Sequence, residues 1–207
     1  ITYNAAISAC EKALQWRHAL GLFVEMGRYN LKATVVSYNA AISAFGICYQ
    51  WEWALIILGE MQMRDLLPNV ISYNAAISAC EKGGQWARAL ETLVQMEKRR
   101  LEPGVISYNA AISACEKGRQ WMQAAQFLSE LDVQGLRADV ITYGSVITMC
   151  EEARQWQHAL GFIVDMRGQG LRPDVVAYDS AMSACEKGYR WQRAPALLDR
   201  LRAEVEM

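Results

Sequence analysis

The chain has 207 residues, 53% of them apolar, enough to build a buried core and too much for a disordered polymer. Lys and Arg total 21 against 22 for Asp and Glu, so a net charge of −1 excludes the overall basic field of many nucleic-acid binders. No apolar run reaches the roughly 18 residues that a bilayer span needs, and the opening ITYNAAISAC lacks the basic-then-apolar layout of a signal peptide.

Self-comparison organises the rest. Tyr3, Tyr38, Tyr73, Tyr108, Tyr143 and Tyr178 stand 35 residues apart, and so do Trp16, Trp51, Trp86, Trp121, Trp156 and Trp191. Two aromatic series with one period and no insertions define one unit repeated six times, over residues 1–34, 35–69, 70–104, 105–139, 140–174 and 175–207. The first unit lacks its first residue and the last stops two short, so the expectation is a piece of a longer array.

Within a unit, Tyr73, Ile77 and Cys80 follow the i, i+4, i+7 spacing of a helix, flanked by Ala76 and Ala79, and predict a first helix over 71–82. Gly83 and Gly84 end it. Trp86, Ala89, Leu90, Leu93 and Met96 then form the apolar stripe of a second helix, with Arg88, Glu91 and Gln95 facing water. Two helices joined by so short a turn must pack antiparallel. Gly135 and Gly170, with Asn30 and Asp65 at matching positions, suit a left-handed helix end, and Pro68, Pro103 and Pro173 stop the helix beyond it. Thr34, Asn69, Gly104, Asp139 and Asp174 stand where the next first helix needs an N-cap. Pro195, inside the last second helix, should kink or shorten it. One hairpin has too little core to stand alone, so stacking buries the Tyr and Trp series and predicts an all-α, right-handed solenoid. Cys10, Cys80, Cys115, Cys150 and Cys185 fall on the repeat and only Cys48 off it, which reads as small packing residues in a reducing compartment.

A 35-residue helical pair with V-x-Y-N near its start, Gly at the inner turn, A-L in the second helix and L-x-P-D before the next copy resembles the pentatricopeptide repeat, in its plain class, over the whole chain. The tetratricopeptide repeat has 34 residues and a different aromatic order. The resemblance implies a binder of single-stranded RNA in a mitochondrion or chloroplast, at about one repeat per base, acting in RNA processing, stability or translation. Carried over by position, the base-reading pairs are Asn4 with Thr34, Asn39 with Asn69, Asn74 with Gly104, Asn109 with Asp139, and Gly144 with Asp174, while Asp179 lacks its partner. Asn offers both a donor and an acceptor to a base edge. By the family's code Asn favours pyrimidines and Asn with Asp favours U, so the implied target is pyrimidine-rich. Ile1, Val36, Ile71, Ile106, Ile141 and Val176 occupy the position whose side chains clamp bases between repeats. Lys12, Lys82, Lys117 and Lys187 end the first helices, where a cation can meet phosphate, and Ile47 and Glu152 break that row.

Each series also has a plainer reading. The pair members before each repeat serve as caps, the Ile/Val series as packing between repeats, and the Lys series as solvated helix ends favoured by the dipole. A second functional class is a protein-binding scaffold of a large organellar assembly with degenerate RNA binding. Its clue is the second unit, where Ile47, Cys48, Tyr49 and Trp53 replace polar surface residues and make a candidate protein interface. Catalysis is the weakest class: there is no phosphate loop, no nucleophile–base pair and no paired metal-ligand spacing, and neither His18 nor His158 starts an H-x-E. No cofactor or metal is expected.

Overall fold

A computed structural model of the chain describes residues 2–29, 31 and 33–188, without the side chains of Thr2 and Asn4. All its elements among the described residues are helices: α1 Thr2–Lys12, α2 Trp16–Arg28, α3 Val35–Ile47, α4 Trp51–Met63, α5 Val70–Lys82, α6 Trp86–Lys98, α7 Val105–Lys117, α8 Trp121–Val133, α9 Val140–Glu152, α10 Trp156–Gly168 and α11 Val175–Lys187. Odd helices are the first of each repeat and even helices the second. Trp191 and Pro195, with the last second helix expected around them, lie outside the described residues.

The chain divides into two compact units, residues 1–114 and 115–207. In the first, α1, α3 and α5 pack one on the next, while α2 lies against α1 and α3, α4 against α3 and α5, and α6 against α5. In the second, α9 packs on α11, α8 on α9, and α10 on both α9 and α11. Each unit is thus a layer of first helices backed by a layer of second helices.

Both turns of the repeat close with the same hydrogen-bond pattern. At the inner turn the Gln85 amide donates to the Cys80 carbonyl at 2.8 Å, and at the outer turn the Leu66 amide donates to the Met61 carbonyl at 2.9 Å. Each bond spans six residues and requires a left-handed residue just before the donor. Gly135, Gly170 and Asp65 supply it as expected, with φ of 70°, 78° and 57°, Asn30 lies outside the described residues, and Gly84 supplies it at the inner turn at 68°. Leu14, Tyr49, Arg100, Arg119 and Arg154 adopt it too, at φ between 55° and 60°, although a side chain there costs about 1 kcal/mol. The closing bond holds them there.

The core follows the repeat. Tyr38, Tyr73, Tyr108, Tyr143 and Tyr178 are fully buried, as are Ile42, Ile77, Leu93 and Met96 to within 1%. The Phe23 and Tyr38 rings meet edge to face, with centroids 4.8 Å apart. The Trp series departs from the expected core role: Trp16, Trp51, Trp86, Trp121 and Trp156 are only half-buried. The Trp51 indole lies over the inner turn of the following repeat, where a Cβ on Gly83 would fall 2.5 Å from Cδ1. Trp156 meets Gly188 in the same way, also at 2.5 Å. Trp51 and Trp156 therefore latch one repeat to the next at the edge of the core, and Gly83 and Gly188 leave the room that their rings fill.

Candidate nucleic-acid interface

Five aliphatic side chains stand out on the first helices. In the first unit Val36, Ile71 and Ile106 are 64%, 63% and 70% exposed, and in the second Ile141 and Val176 are 78% and 60% exposed. Each is the second residue of its helix, two residues before the buried Tyr. A residue that holds neighbouring repeats together loses its surface to them, and these five keep most of theirs. Ile1 lies outside the described residues.

The Asn series sits three residues further on. Asn39, Asn74 and Asn109 are half-buried, Gly144 takes the same place in the second unit, and Asp179 is exposed. The Asn4 side chain lies outside the described residues. Asn39 and its sequence-paired Asn69 are brought together: the Asn39 Nδ2 donates to Asn69 Oδ1 at 3.4 Å. A third residue joins them, since the Ser72 hydroxyl lies 2.6 Å from Asn39 Oδ1 and 3.1 Å from Asn69 Oδ1. One repeat on, Ser107 Oγ donates to Asn74 Oδ1 at 2.6 Å. Sequence reasoning missed these serines. Their signal was the Ser of S-Y-N, one residue before Tyr38, Tyr73 and Tyr108, repeated with the same period as Asn.

The capping reading is also satisfied. Asn69 Oδ1 accepts from the Ser72 amide at 3.1 Å, Asp139 Oδ1 from Thr142 at 2.8 Å, and Asp174 Oδ1 from Ala177 at 2.8 Å. Thr34 caps α3 more loosely, at 3.5 Å. Gly104, with no side chain, instead donates its amide to the Ser107 hydroxyl at 3.2 Å. An aspartate or asparagine has lone pairs to spare after one cap bond, so capping leaves the outer side of the carboxylate or amide open.

Lys12, Lys82, Lys117 and Lys187 are exposed at the ends of α1, α5, α7 and α11. Acidic side chains of the same helix ends temper this row. Lys187 pairs with Glu151 of the preceding repeat at 2.9 Å, and Ser183 donates to the same carboxylate at 2.6 Å. Burial pushes the Glu151 carboxyl up, but these bonds and the Lys187 charge outweigh it and hold its pKa below the usual value. Ser43 binds Glu11 at 2.5 Å and Ser113 binds Glu81 at 3.2 Å in the same register. Glu152, which breaks the lysine row, faces Arg119 at 3.6 Å.

The apolar patch of the second repeat is narrower than its sequence implied. Tyr49 is 68% exposed, but Ile47, Cys48 and Trp53 are half-buried. Trp53 packs on the fully buried Phe45, ring centroids 6.5 Å apart, because the larger Phe in place of Cys fills the core to its edge. The cysteines are all free thiols, and burial raises Cys80 and Cys115 to about 12 and Cys150 to about 11. Both histidines are exposed, and among the described residues no group of three His, Cys, Asp or Glu side chains could hold a metal ion. No described helix is long and apolar enough to cross a membrane.

Family models for the pentatricopeptide repeat domain match residues 56–117 and 126–187, and models for the PPR repeat match 1–31, 36–66 and 106–136. A comparison with curated proteins finds no match. Among solved structures the chain is similar to the pentatricopeptide repeat protein PPR10 from maize, at 25% identity and a TM-score of 0.73, over 97% of this chain and 29% of that one. It is similar to PPR10 in complex with an 18-nt psaJ RNA element at 24% identity and 0.69, over 97% and 28%. The PPR domain of Arabidopsis thaliana protein-only RNase P 1, in complex with tRNA, matches at 13% and 0.75, over 88% and 96%. The chain spans less than a third of the PPR10 chains. These likenesses agree with the all-α helical-repeat architecture.

Proposed function

Because the chain belongs to the pentatricopeptide repeat family, we propose that it binds single-stranded RNA along its first-helix face, at about one base per repeat. The exposed aliphatic series carries this reading. An array that leaves an Ile or Val more than half exposed at one position of successive repeats keeps an apolar surface in water at a cost. A base stacked on that surface recovers it. The Asn amides three residues away are the groups that would read the base edge, and the Lys ends would meet phosphate and make part of the affinity salt-sensitive. Asn at this position in the second, third and fourth repeats favours pyrimidine-rich RNA, with U at the Asn109–Asp139 repeat by the family's code. The place of action is a mitochondrion or chloroplast, where such a protein serves RNA processing, stability or translation. It acts as a binder, without catalysis, and the repeats over 1–207 form one array.

Titration with pyrimidine and purine oligomers at two salt concentrations tests this. Tighter binding to pyrimidine oligomers, weakened by salt, is expected; equal or absent binding to both overturns base reading. Asn109→Thr sharpens it, since beside Asp139 the family's code moves the preference at one base from U toward G.

A further inference from the structure

We propose that Ser72 and Ser107 are positioning residues: each hydroxyl holds the amide of the preceding repeat's Asn in one orientation and so fixes which hydrogen-bonding group meets the base. The inference rests on the base-reading role of Asn proposed above.

The argument is clearest at Ser107. A serine hydroxyl has one hydrogen to give and two lone pairs. The Gly104 amide takes a lone pair at 3.2 Å, as a backbone cap of α7. The hydrogen goes to Asn74 Oδ1 at 2.6 Å, and Gly104 has no side chain to compete for it. A hydroxyl committed in this way needs an acceptor opposite, so the Asn74 carbonyl oxygen turns inward and its NH2 turns outward. Ser72 repeats the device with a second lock. Its amide and hydroxyl lie 3.1 Å from Asn69 Oδ1, its hydrogen follows the shorter 2.6 Å path to Asn39 Oδ1, and Asn39 Nδ2 donates to Asn69 at 3.4 Å. Flipping the Asn39 amide would set its oxygen against that of Asn69.

Both serines are buried, at 0% exposure, so water does not replace them as partners. The chain also carries its own control. Where the Asn position is Gly144, with no amide to orient, the serine register holds Ala177, and Asp174 caps that helix through the backbone alone. Hydroxyl and amide are present together in the first unit and absent together in that repeat.

An amide locked with NH2 outward is a donor. It selects a base edge that presents an acceptor at that point, as the carbonyl oxygens of uracil and cytosine do, and it refuses a base that presents an N–H there. An amide free to flip serves either base. The serine therefore sets discrimination more than affinity.

Ser107→Ala and Ser107→Thr in the full chain test this, each bound to oligomers that differ only at the base facing the third repeat. The unchanged chain and Ser107→Thr should prefer pyrimidine. Ser107→Ala should lose roughly fivefold of that preference, the worth of one net neutral hydrogen bond. In an Asn74→Ala background Ser107→Ala should change neither affinity nor preference, whereas a serine that only supports the helix would weaken binding in both backgrounds. Unaltered preference in Ser107→Ala, with pyrimidine selection intact in the unchanged chain, overturns the positioning role and leaves base reading standing. No selection by the unchanged chain overturns both.

Discussion

Ile106→Ala separates the two readings of the aliphatic series most directly. Truncation removes three carbon groups, worth about 2.4 kcal/mol if all were buried, at ~0.8 kcal/mol each. With 70% of Ile106 already exposed, less than a third of that is at stake, about 0.7 kcal/mol, and no closed cavity is left behind. Ile77→Ala, at a fully buried position of the preceding first helix, should cost about 3 kcal/mol. Urea unfolding read by helical circular dichroism gives both numbers. For RNA the order reverses: loss of one stacking platform should weaken binding about fivefold, near the low end of ~1–3 kcal/mol per stacked base. A loss above about 2 kcal/mol in Ile106→Ala would return the series to packing. Little destabilisation together with unchanged RNA affinity would refute the stacking role outright.

Three further outcomes follow from the same geometry. Gly83→Ala should destabilise by about 1–2 kcal/mol, the overpacking against Trp51 less the smaller gain from a stiffer unfolded chain, and Trp51→Leu should relieve it; equal melting of Gly83→Ala and the unchanged chain would show that the indole has room. Glu151 has a lowered pKa, so its bonds to Ser183 and Lys187 contribute stability that is complete above the unfolded carboxyl range near pH 4.5 and is lost as pH falls through the folded value. Ser183→Ala should therefore differ from the unchanged chain in urea midpoint at neutral pH, with the gap closing as pH falls through the folded carboxyl's lowered pKa; a gap constant with pH contradicts the assignment. Alkylation at mildly alkaline pH should reach the half-buried Cys10 and Cys48 while Cys80 and Cys115, buried and pushed up to about 12, react only on unfolding. Mass mapping of the modified peptides decides it.

The sequence by itself determined the period, the helices and the buried Tyr stripe, because these depend on spacing along one chain. A 3.6-residue periodicity places Tyr73, Ile77 and Cys80 on one face whatever surrounds the helix, and the cap residues announce its start. It also named the Asn and Ile/Val positions, through register with a known repeat. It could not tell whether the Ile/Val face is covered, since that depends on how closely the next repeat approaches, and only the stacked structure leaves those side chains in water. Nor did it show that tryptophans spaced like core residues would sit half-exposed as latches over the next turn. The left-handed residues at Leu14, Arg100, Arg119 and Arg154 carry no Gly or Asn signal, because closing hydrogen bonds outweigh their local preference. The serines that hold Asn39 and Asn74 lie 33 residues away in sequence. Only the packing of one repeat on the next turns that separation into a 2.6 Å hydrogen bond, and there the tertiary structure decides which way each amide turns.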